Sequence, residues 1–205
     1  MKNPRAFSPG GKPSEPPQPP LELPEGLPEL PPNPRVLLLI DVDCVSYGLV
    51  EGTRERASDN DLRACLELVH ATAAHVDPTY GTRARRALSS ATAKHHRAVL
   101  LSAPGNSFTI RTGLNGADLA LIEELDELKI RCTADLVMLV GHDGIYAPPV
   151  RTLRLLGIPT WLLALSNRVA RPLRDAACAV DCIGPRCPRC PRRPAACHHV
   201  PGSAR

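Results

Sequence analysis

Four aspartates in this sequence have the spacing of acids that could act together on a metal ion. Asp41 and Asp143 follow runs of apolar residues, Asp43 lies two residues after Asp41, and Asp118 follows an Asn-Gly-Ala step. Carboxylates gathered in one site raise each other's pKa unless a cation is present. Mg²⁺ or Mn²⁺ would resolve this conflict, because hard cations prefer oxygen ligands and retain waters. Such an ion can activate a water molecule for attack on a phosphodiester.

Continuous apolar runs predict the strands that would position two of these acids. Residues 36–40 lead directly to Asp41, and residues 136–140 lead through Gly141-His142 to Asp143. Unbroken runs of this kind are typical of parallel strands covered on both faces. Functional groups in such sheets collect at the carboxyl ends of the strands. Two further central strands are predicted at residues 98–102 and 160–165.

Helices are predicted between these strands. Capping side chains precede an amphipathic segment, and a proline pair opens another segment that a glycine closes. The predicted helices cover residues 62–76, a segment from near 116 to 128, residues 148–157 and residues 168–178, with residues 83–96 interpreted as one more helix. Alternating strands and helices indicate βαβ units and a mostly parallel sheet.

The composition divides the chain into one domain and two tails. Residues 1–34 hold 12 of the 23 prolines and predict a disordered arm, which is a candidate docking segment for a protein partner. Residues 35–183 are the predicted domain, and residues 184–205 form a basic tail rich in Cys and His. The net charge of +4 permits an anionic partner such as nucleic acid without requiring one.

The sequence is interpreted as that of a soluble, cytoplasmic protein. It shows no secretory signal, and its apolar runs are too short to cross a bilayer. Eight cysteines without an export signal favour reduced thiols or metal ligands over disulfides. No membrane partner is expected, and a homo-oligomer is left open.

Three segments resemble the NYN branch of the PIN-like nuclease superfamily. They occur in the family's order, extend over about residues 35–183, and are Leu39-Ile40-Asp41-Val42-Asp43, Asn115-Gly116-Ala117-Asp118-Leu119-Ala120-Leu121 and Leu139-Val140-Gly141-His142-Asp143-Gly144-Ile145-Tyr146-Ala147-Pro148. The Asn-Gly-Ala-Asp step followed by an aliphatic helix is the most specific of them.

The resemblance implies a Rossmann-like, three-layer α/β/α PIN-like domain and a metal-dependent ribonuclease site. Asp41, Asp118 and Asp143 would be catalytic acids that bind Mg²⁺ or Mn²⁺, with Asp43 assisting. Asp181 also falls where the family often has an aspartate, and we expect a structural role for it.

Three positions depart from the pattern that is common in this family. His142 stands in place of Gly, Ile145 in place of a second acid, and Cys44 in place of Asn. Loss of an acid could lower metal affinity or mark a relative without catalytic activity. A non-catalytic PIN-like module that binds RNA or a protein is therefore the first alternative function.

A second alternative is a phosphatase of the haloacid dehalogenase type. The segment Asp41-Val42-Asp43 after an apolar strand fits the opening motif of that family. Asp41 would then be the phosphorylated nucleophile and Asp43 the general acid/base. The expected lysine is the weak point, because the predicted domain contains only Lys94 and Lys129.

Contacts with RNA are predicted to be electrostatic, because aromatic residues make up only 3% of the chain. Ser166 is interpreted as a helix N-cap beside amides that could bind a phosphate. The proposed RNA-binding residues are Ser166, Arg168, Arg171 and Arg111, and further basic candidates are Arg83, Arg85, Arg86, Lys94, Arg97 and Arg174.

The C-terminal tail carries a candidate zinc site. Cys187-Pro188-Arg189-Cys190 is a CxxC step, whose turn can place two thiolates on one tetrahedral ion. Cys197 and His199 are the predicted second pair, with His198 and Cys182 as alternatives. Without zinc the same residues would be a disordered tail, so both interpretations stay open. The other cysteines, at positions 44, 65, 132 and 178, are interpreted as buried apolar side chains.

Overall fold

The computed structural model describes residues 23–49, 56–102, 108–131, 133–165, 169–183 and 197–199. Its strands are β1 Val36–Asp41, β2 Ala84–Leu88, β3 Phe108–Ile110, β4 Leu136–Val140, β5 Thr160–Ala164, β6 Ala179–Cys182 and β7 Cys197–His199. Its helices are α1 Val42–Gly48, α2 Asp59–Val76, α3 Ser90–His95, α4 Arg97–Ser102, α5 Gly116–Arg131, α6 Ala147–Leu155 and α7 Arg171–Ala176. Two 3₁₀ turns cover Tyr80–Arg83 and Gly144–Tyr146.

The strands form one sheet in the order β3-β2-β1-β4-β5-β6-β7. Strands β1 to β6 are parallel, and the short β7 pairs with β6 in the antiparallel direction. The strand order therefore reverses between β1 and β4, which are neighbours in the sheet. A parallel sheet has its ligand-binding crevice at such a switch point, at the carboxyl ends of the strands.

Helices cover both faces of the sheet, so the predicted three-layer α/β/α class is confirmed. One core packs α1, α2 and α4 against residues such as Leu38 and Ile40 of β1. The other packs α5, α6 and α7 against Leu37 and Leu39 of the same strand. Successive side chains of a strand point to opposite faces, and here each face meets helices. This explains why the central strands are continuously apolar in sequence.

Two predicted elements are wrong. Residues 98–102 belong to helix α4 rather than to a strand, and residues 84–88 of the predicted helix 83–96 form β2. A short apolar run does not distinguish a buried strand from a buried helix, and Leu101 of α4 is 63% exposed. Strand β2 contains two arginines, so its place in the sheet comes from pairing with β1 and β3 and not from an apolar pattern.

The packed region begins earlier than predicted. The sequence favoured a disordered arm through residue 34, but Leu27 and Leu30 pack against the first core. Gly26 has a φ of 99°, and a Cβ atom there would lie 2.6 Å from the carbonyl oxygen of Cys178. Residues 23–34 are therefore held against the domain by two leucines and one close backbone approach. The rest of the predicted arm, residues 1–22, lies outside the described residues.

No helix in the described ranges is long and apolar enough to cross a membrane.

Candidate active site

Asp41 is the last residue of β1 and the N-cap of α1. Its Oδ1 atom accepts a hydrogen bond of 2.9 Å from the backbone amide of Cys44, which is how a capping carboxylate satisfies a free helix amide. Only 3% of the residue is exposed. The strand-to-helix turn thus places a buried carboxylate at the switch point of the sheet.

Tyr146 and Asp118 both interact with the Asp41 carboxyl group. The Tyr146 hydroxyl donates a hydrogen bond of 3.0 Å to Oδ2 of Asp41. Burial, followed by the neighbouring charge of Asp118, raises the pKa of Asp41 to about 8, although the Cys44 amide and the Tyr146 hydroxyl oppose the rise. Burial and the same two carboxylates raise the pKa of Tyr146, so its hydroxyl remains a donor. Two acids and a phenol therefore share one partly buried cluster.

The Asn-Gly-Ala-Asp step brings Asp118 into this cluster. Asn115 has a φ of 55°, a left-handed conformation that asparagine tolerates better than most residues. A Cβ atom on Gly116 would lie 2.5 Å from the carbonyl oxygen of Arg111, so only glycine fits there. Helix α5 begins at Gly116 with Asp118 in its first turn. The Asn-Gly-Ala-Asp step thus forms a tight turn into α5, and this turn positions Asp118.

Asp143 lies at the exposed rim of this cluster. It follows β4 and caps the 3₁₀ turn Gly144–Tyr146 by accepting a hydrogen bond of 3.1 Å from the amide of Ile145. The charges of Asp41, Asp118 and Asp143 all contribute to a raised pKa of the Cys44 thiol. The three acids predicted from the sequence are therefore all near enough to one thiol for their charges to affect it.

Cys44 is not the simple apolar side chain that the sequence predicted. Its sulfur lies 2.5 Å from Nδ1 of His142, so the thiol of α1 is hydrogen bonded to the segment that follows β4. Burial is the largest cause of its raised pKa, and the charge of Asp41 is the second. Two of the three positions that depart from the NYN pattern, Cys44 and His142, thus contact each other beside the acids.

Asp43 faces a different partner. Its carboxylate accepts hydrogen bonds from the amide of Ser89 at 3.0 and 3.1 Å and from the Ser89 hydroxyl at 3.1 Å. Ser89 follows β2 and caps α3. Asp43 therefore links α1 to the carboxyl end of β2, which is a positioning contact one strand away from Asp41.

A chain of Ser46, His96 and Asp59 resembles the triad of a hydrolase. The Ser46 hydroxyl lies 2.9 Å from Nε2 of His96, and Nδ1 of His96 lies 2.7 Å from the Asp59 carboxylate. Both Ser46 and His96 are 0% exposed. A substrate cannot reach this serine, so the chain is a structural connection from α1 to α2.

The donor set suits a cation held by few protein ligands. Among the described residues, no three His, Cys, Asp or Glu side chains are grouped closely enough to hold one ion. The adjacent pair of Asp41 and Asp118 is nevertheless the kind of site that Mg²⁺ uses, since it often takes one or two carboxylates and keeps its waters. A cation would also relieve the repulsion that raises the pKa of Asp41.

Four of the basic residues predicted to contact RNA pair with acids in the described part of the chain. Arg111 pairs with Glu123, and Arg171 approaches Asp175 at 3.7 Å, while Ser166 and Arg168 lie outside the described residues. Arg83 pairs with Asp77, and Arg85 pairs with Glu124. Arg86 is only 1% exposed and therefore cannot contact RNA.

The structure describes little of the candidate zinc site. Cys187 and Cys190 lie outside the described residues. Cys197 and His199 are the ends of β7, and the backbone of Cys197 pairs with that of Cys182 in β6. The sequence showed no sign of this strand, because three residues carry no usable pattern.

Tyr146 is the site residue that sequence reasoning missed. It lies inside the Gly-His-Asp-Gly-Ile-Tyr segment that was compared with the NYN branch, but no role was assigned to it. A signal was available, because tyrosine is rare here, with three in the whole chain. Tyr146 is fully buried, at 0% exposure, and its hydroxyl donates a hydrogen bond to Asp41.

The fold and the site together define a three-layer α/β protein with an acidic cluster at the switch point of its sheet. No protein family and no curated protein matches the chain. Among solved structures it is similar to a protein of unknown function from Vibrio parahaemolyticus RIMD 2210633, at 19% identity and a TM-score of 0.47. The match covers 71% of this chain and 90% of the other, and the likeness is too low to transfer an activity.

Proposed function

We propose that this protein hydrolyses RNA phosphodiester bonds with Mg²⁺ or Mn²⁺ held at Asp41 and Asp118, as a member of the NYN branch would. The supporting observation is the meeting of these two carboxylates at the switch point, where burial and mutual repulsion raise the pKa of Asp41 to about 8. Neighbouring carboxylates with a raised pKa are typical of functional sites, including metal-dependent hydrolytic sites.

Each acid has its own part in this proposal. Asp41 and Asp118 would hold the ion, and Asp143 would complete the acidic set from the exposed rim. When bound, the ion would lower the pKa of a water molecule and offset charge on the phosphate. Tyr146 and the Cys44 amide hold the Asp41 carboxylate in place from the protein side. Asp43 acts indirectly, by fixing α1 on Ser89.

The choice of RNA as substrate rests on the resemblance to the NYN branch. The net charge of +4 is compatible with a polyanion. Arg111 pairs with Glu123, and Arg171 approaches Asp175. RNA would therefore have to compete with these two acids for the arginines. We therefore expect weak, salt-dependent binding of RNA.

A non-catalytic binding module is the second candidate. It is favoured by the lack of a three-residue metal cluster in the described residues and by Ile145, which offers no carboxylate at the rim. The phosphatase alternative is disfavoured, because its nucleophile would be Asp41. That carboxyl group is 3% exposed and already accepts two hydrogen bonds.

The test is cleavage of a labelled single-stranded RNA by the full chain with and without Mn²⁺. Wild type is compared with Asp118→Asn and Asp143→Asn, and with Asp126→Asn as the matched control. Asp126 lies on the same helix as Asp118, is exposed, and is about two turns away from it. Circular dichroism and the unfolding temperature show whether each variant is folded.

Metal-dependent cleavage that is lost in the first two variants and kept in the control would support the nuclease. RNA retained without cleavage by the folded wild type would favour the binding module. Hydrolysis of a phosphate monoester that is lost in Asp41→Asn, without any effect on RNA, would favour the phosphatase instead.

A further inference from the structure

Arg86 is a buried arginine in the middle of β2. Ala84 and Leu88, which lie two residues before and after it, both belong to the first core. Alternation along the strand therefore directs the Arg86 side chain to the α1 and α2 side of the sheet. Its neighbour Arg85 points to the opposite face, where it pairs with Glu124 of α5 at 3.4 Å. The two adjacent arginines thus have different environments.

The guanidinium group of Arg86 has no partner among the described residues. Its Nε, Nη1 and Nη2 atoms are all buried and make no hydrogen bond there. The residue is 1% exposed, so bulk water does not solvate its charge. An isolated charge in a protein interior is strongly unfavourable, and removal of a counter-charge is correspondingly destabilising. The charge therefore requires a counterion that the described chain does not supply.

His70 lies close enough to Arg86 for the arginine's charge to affect it. Burial and this charge lower the pKa of His70 to about 4, so the imidazole is neutral at pH 7. Nδ1 of His70 lies 2.9 Å from the Tyr80 hydroxyl, whereas the buried Nε2 has no partner among the described residues. When the hydroxyl donates to Nδ1, the proton of the neutral ring is on Nε2. The second unpaired group is then also a donor.

Arg86 and His70 both have buried nitrogen atoms without hydrogen-bond partners among the described residues. Four buried nitrogen atoms, three from Arg86 and one from His70, have no hydrogen-bond partner in that part of the chain, and the three of Arg86 are donors in every case. A water molecule could accept hydrogen bonds from some of them but would leave the positive charge unbalanced. An anion accepts hydrogen bonds and balances the charge at the same time.

We propose that Arg86 and His70 form a buried site for a small inorganic anion between β2 and α2. The probe is chloride, whose size and lack of protons suit a compact set of donors. The site lies on the side of the sheet opposite α5, and its occupancy stabilises the domain. The proposal is independent of the nuclease function, because neither residue belongs to the acidic cluster.

The experiment is thermal unfolding of the full chain in NaCl and in sodium gluconate at equal ionic strength. Gluconate is too large to enter a buried site. We expect the wild-type Tm to rise with chloride by about 5 °C for a hundredfold excess over its Kd. Arg86→Met should lose this chloride-specific rise and should be at least as stable as wild type in gluconate. Arg85→Met, the matched control on the same strand, should keep the rise.

Two results would overturn the proposal. One is a wild-type Tm that is the same in the two salts. The other is an equal chloride effect in wild type and in folded Arg86→Met. Should Arg86→Met not fold, crystals of the wild type grown with NaBr decide the matter through bromide anomalous scattering. A peak beside the Arg86 guanidinium supports the site, and its absence rejects it.

Discussion

The hydroxyl group of Tyr146 donates a hydrogen bond of 3.0 Å to Oδ2 of Asp41, although the two residues lie 105 positions apart. Tyr146 ends the 3₁₀ turn after β4, and Asp41 ends β1. The bond therefore joins the segments that end the two strands between which the sheet order reverses, and it orients the most buried acid of the cluster.

Tyr146→Phe removes this bond and leaves the ring in place. Groups that orient a metal-binding carboxylate typically contribute 10- to 100-fold to metal affinity or activity. We expect the Mn²⁺ concentration for half-maximal RNA cleavage to rise about 10-fold. Titration of cleavage rate against Mn²⁺ measures this. Tyr80→Phe is the control, because it loses a buried hydroxyl bonded to His70 and should leave the Mn²⁺ requirement unchanged.

Gly116→Ala tests the tight entry to α5. The new Cβ atom would meet the carbonyl oxygen of Arg111 at 2.5 Å, so the start of the helix and Asp118 must shift. We expect a loss of about 1–3 kcal/mol in unfolding free energy, measured by urea denaturation. Cleavage should also fall in the fraction that stays folded. Gly81→Ala has nothing within 4 Å of its Cβ position, so an equal loss there would contradict the explanation.

Asp77 should make the domain sensitive to acid. Burial alone would raise its pKa, but hydrogen bonds from the Val36 amide, Thr79 and Arg83 outweigh burial and lower the pKa to about 2. A carboxylate with a lowered pKa stabilises the fold above its unfolded value near 3.8, and this contribution is lost as the pH falls through about 2.

Asp77→Asn should therefore cost about 2 kcal/mol at pH 7, and the difference from wild type should shrink between pH 4 and pH 2. Urea denaturation at several pH values measures both effects. Asp175→Asn removes only an exposed pair with Arg171 and should change stability by less than about 0.5 kcal/mol. A difference for Asp77→Asn that does not vary with pH would rule out this account.

Zinc content tests the CxxC step of the C-terminal segment. If the CxxC step holds zinc, the purified chain should carry it, as elemental mass spectrometry would show, and Cys187→Ser and Cys190→Ser should reduce the zinc content sharply. Cys178→Ser serves as the control, since Cys178 is a half-buried residue of the domain. Wild-type protein without zinc after purification in zinc-containing medium would remove the site from consideration.

The sequence alone was sufficient for the main strands and for the placement of the acids along the chain. Strands β1, β4 and β5 were predicted because both faces of each are covered, which makes their apolar runs continuous. Asp41 and Asp143 follow two of these strands, so the carboxyl-end rule of parallel sheets was enough to expect them on one edge. Asp118 was found from the Asn-Gly-Ala step, whose local geometry the structure explains.

The tertiary structure alone decided what each side chain contacts. Asp43 meets Ser89, Tyr146 meets Asp41, and Arg86 is buried beside His70 and Tyr80, although local patterns assigned Arg86 to a surface. Strand β2 was mistaken for part of a helix because its place depends on hydrogen bonds to β1 and β3. The periodicity of apolar residues in the sequence indicates which face of a helix or strand is buried. Contacts between distant segments depend on strand order and register, which arise only when the whole sheet assembles.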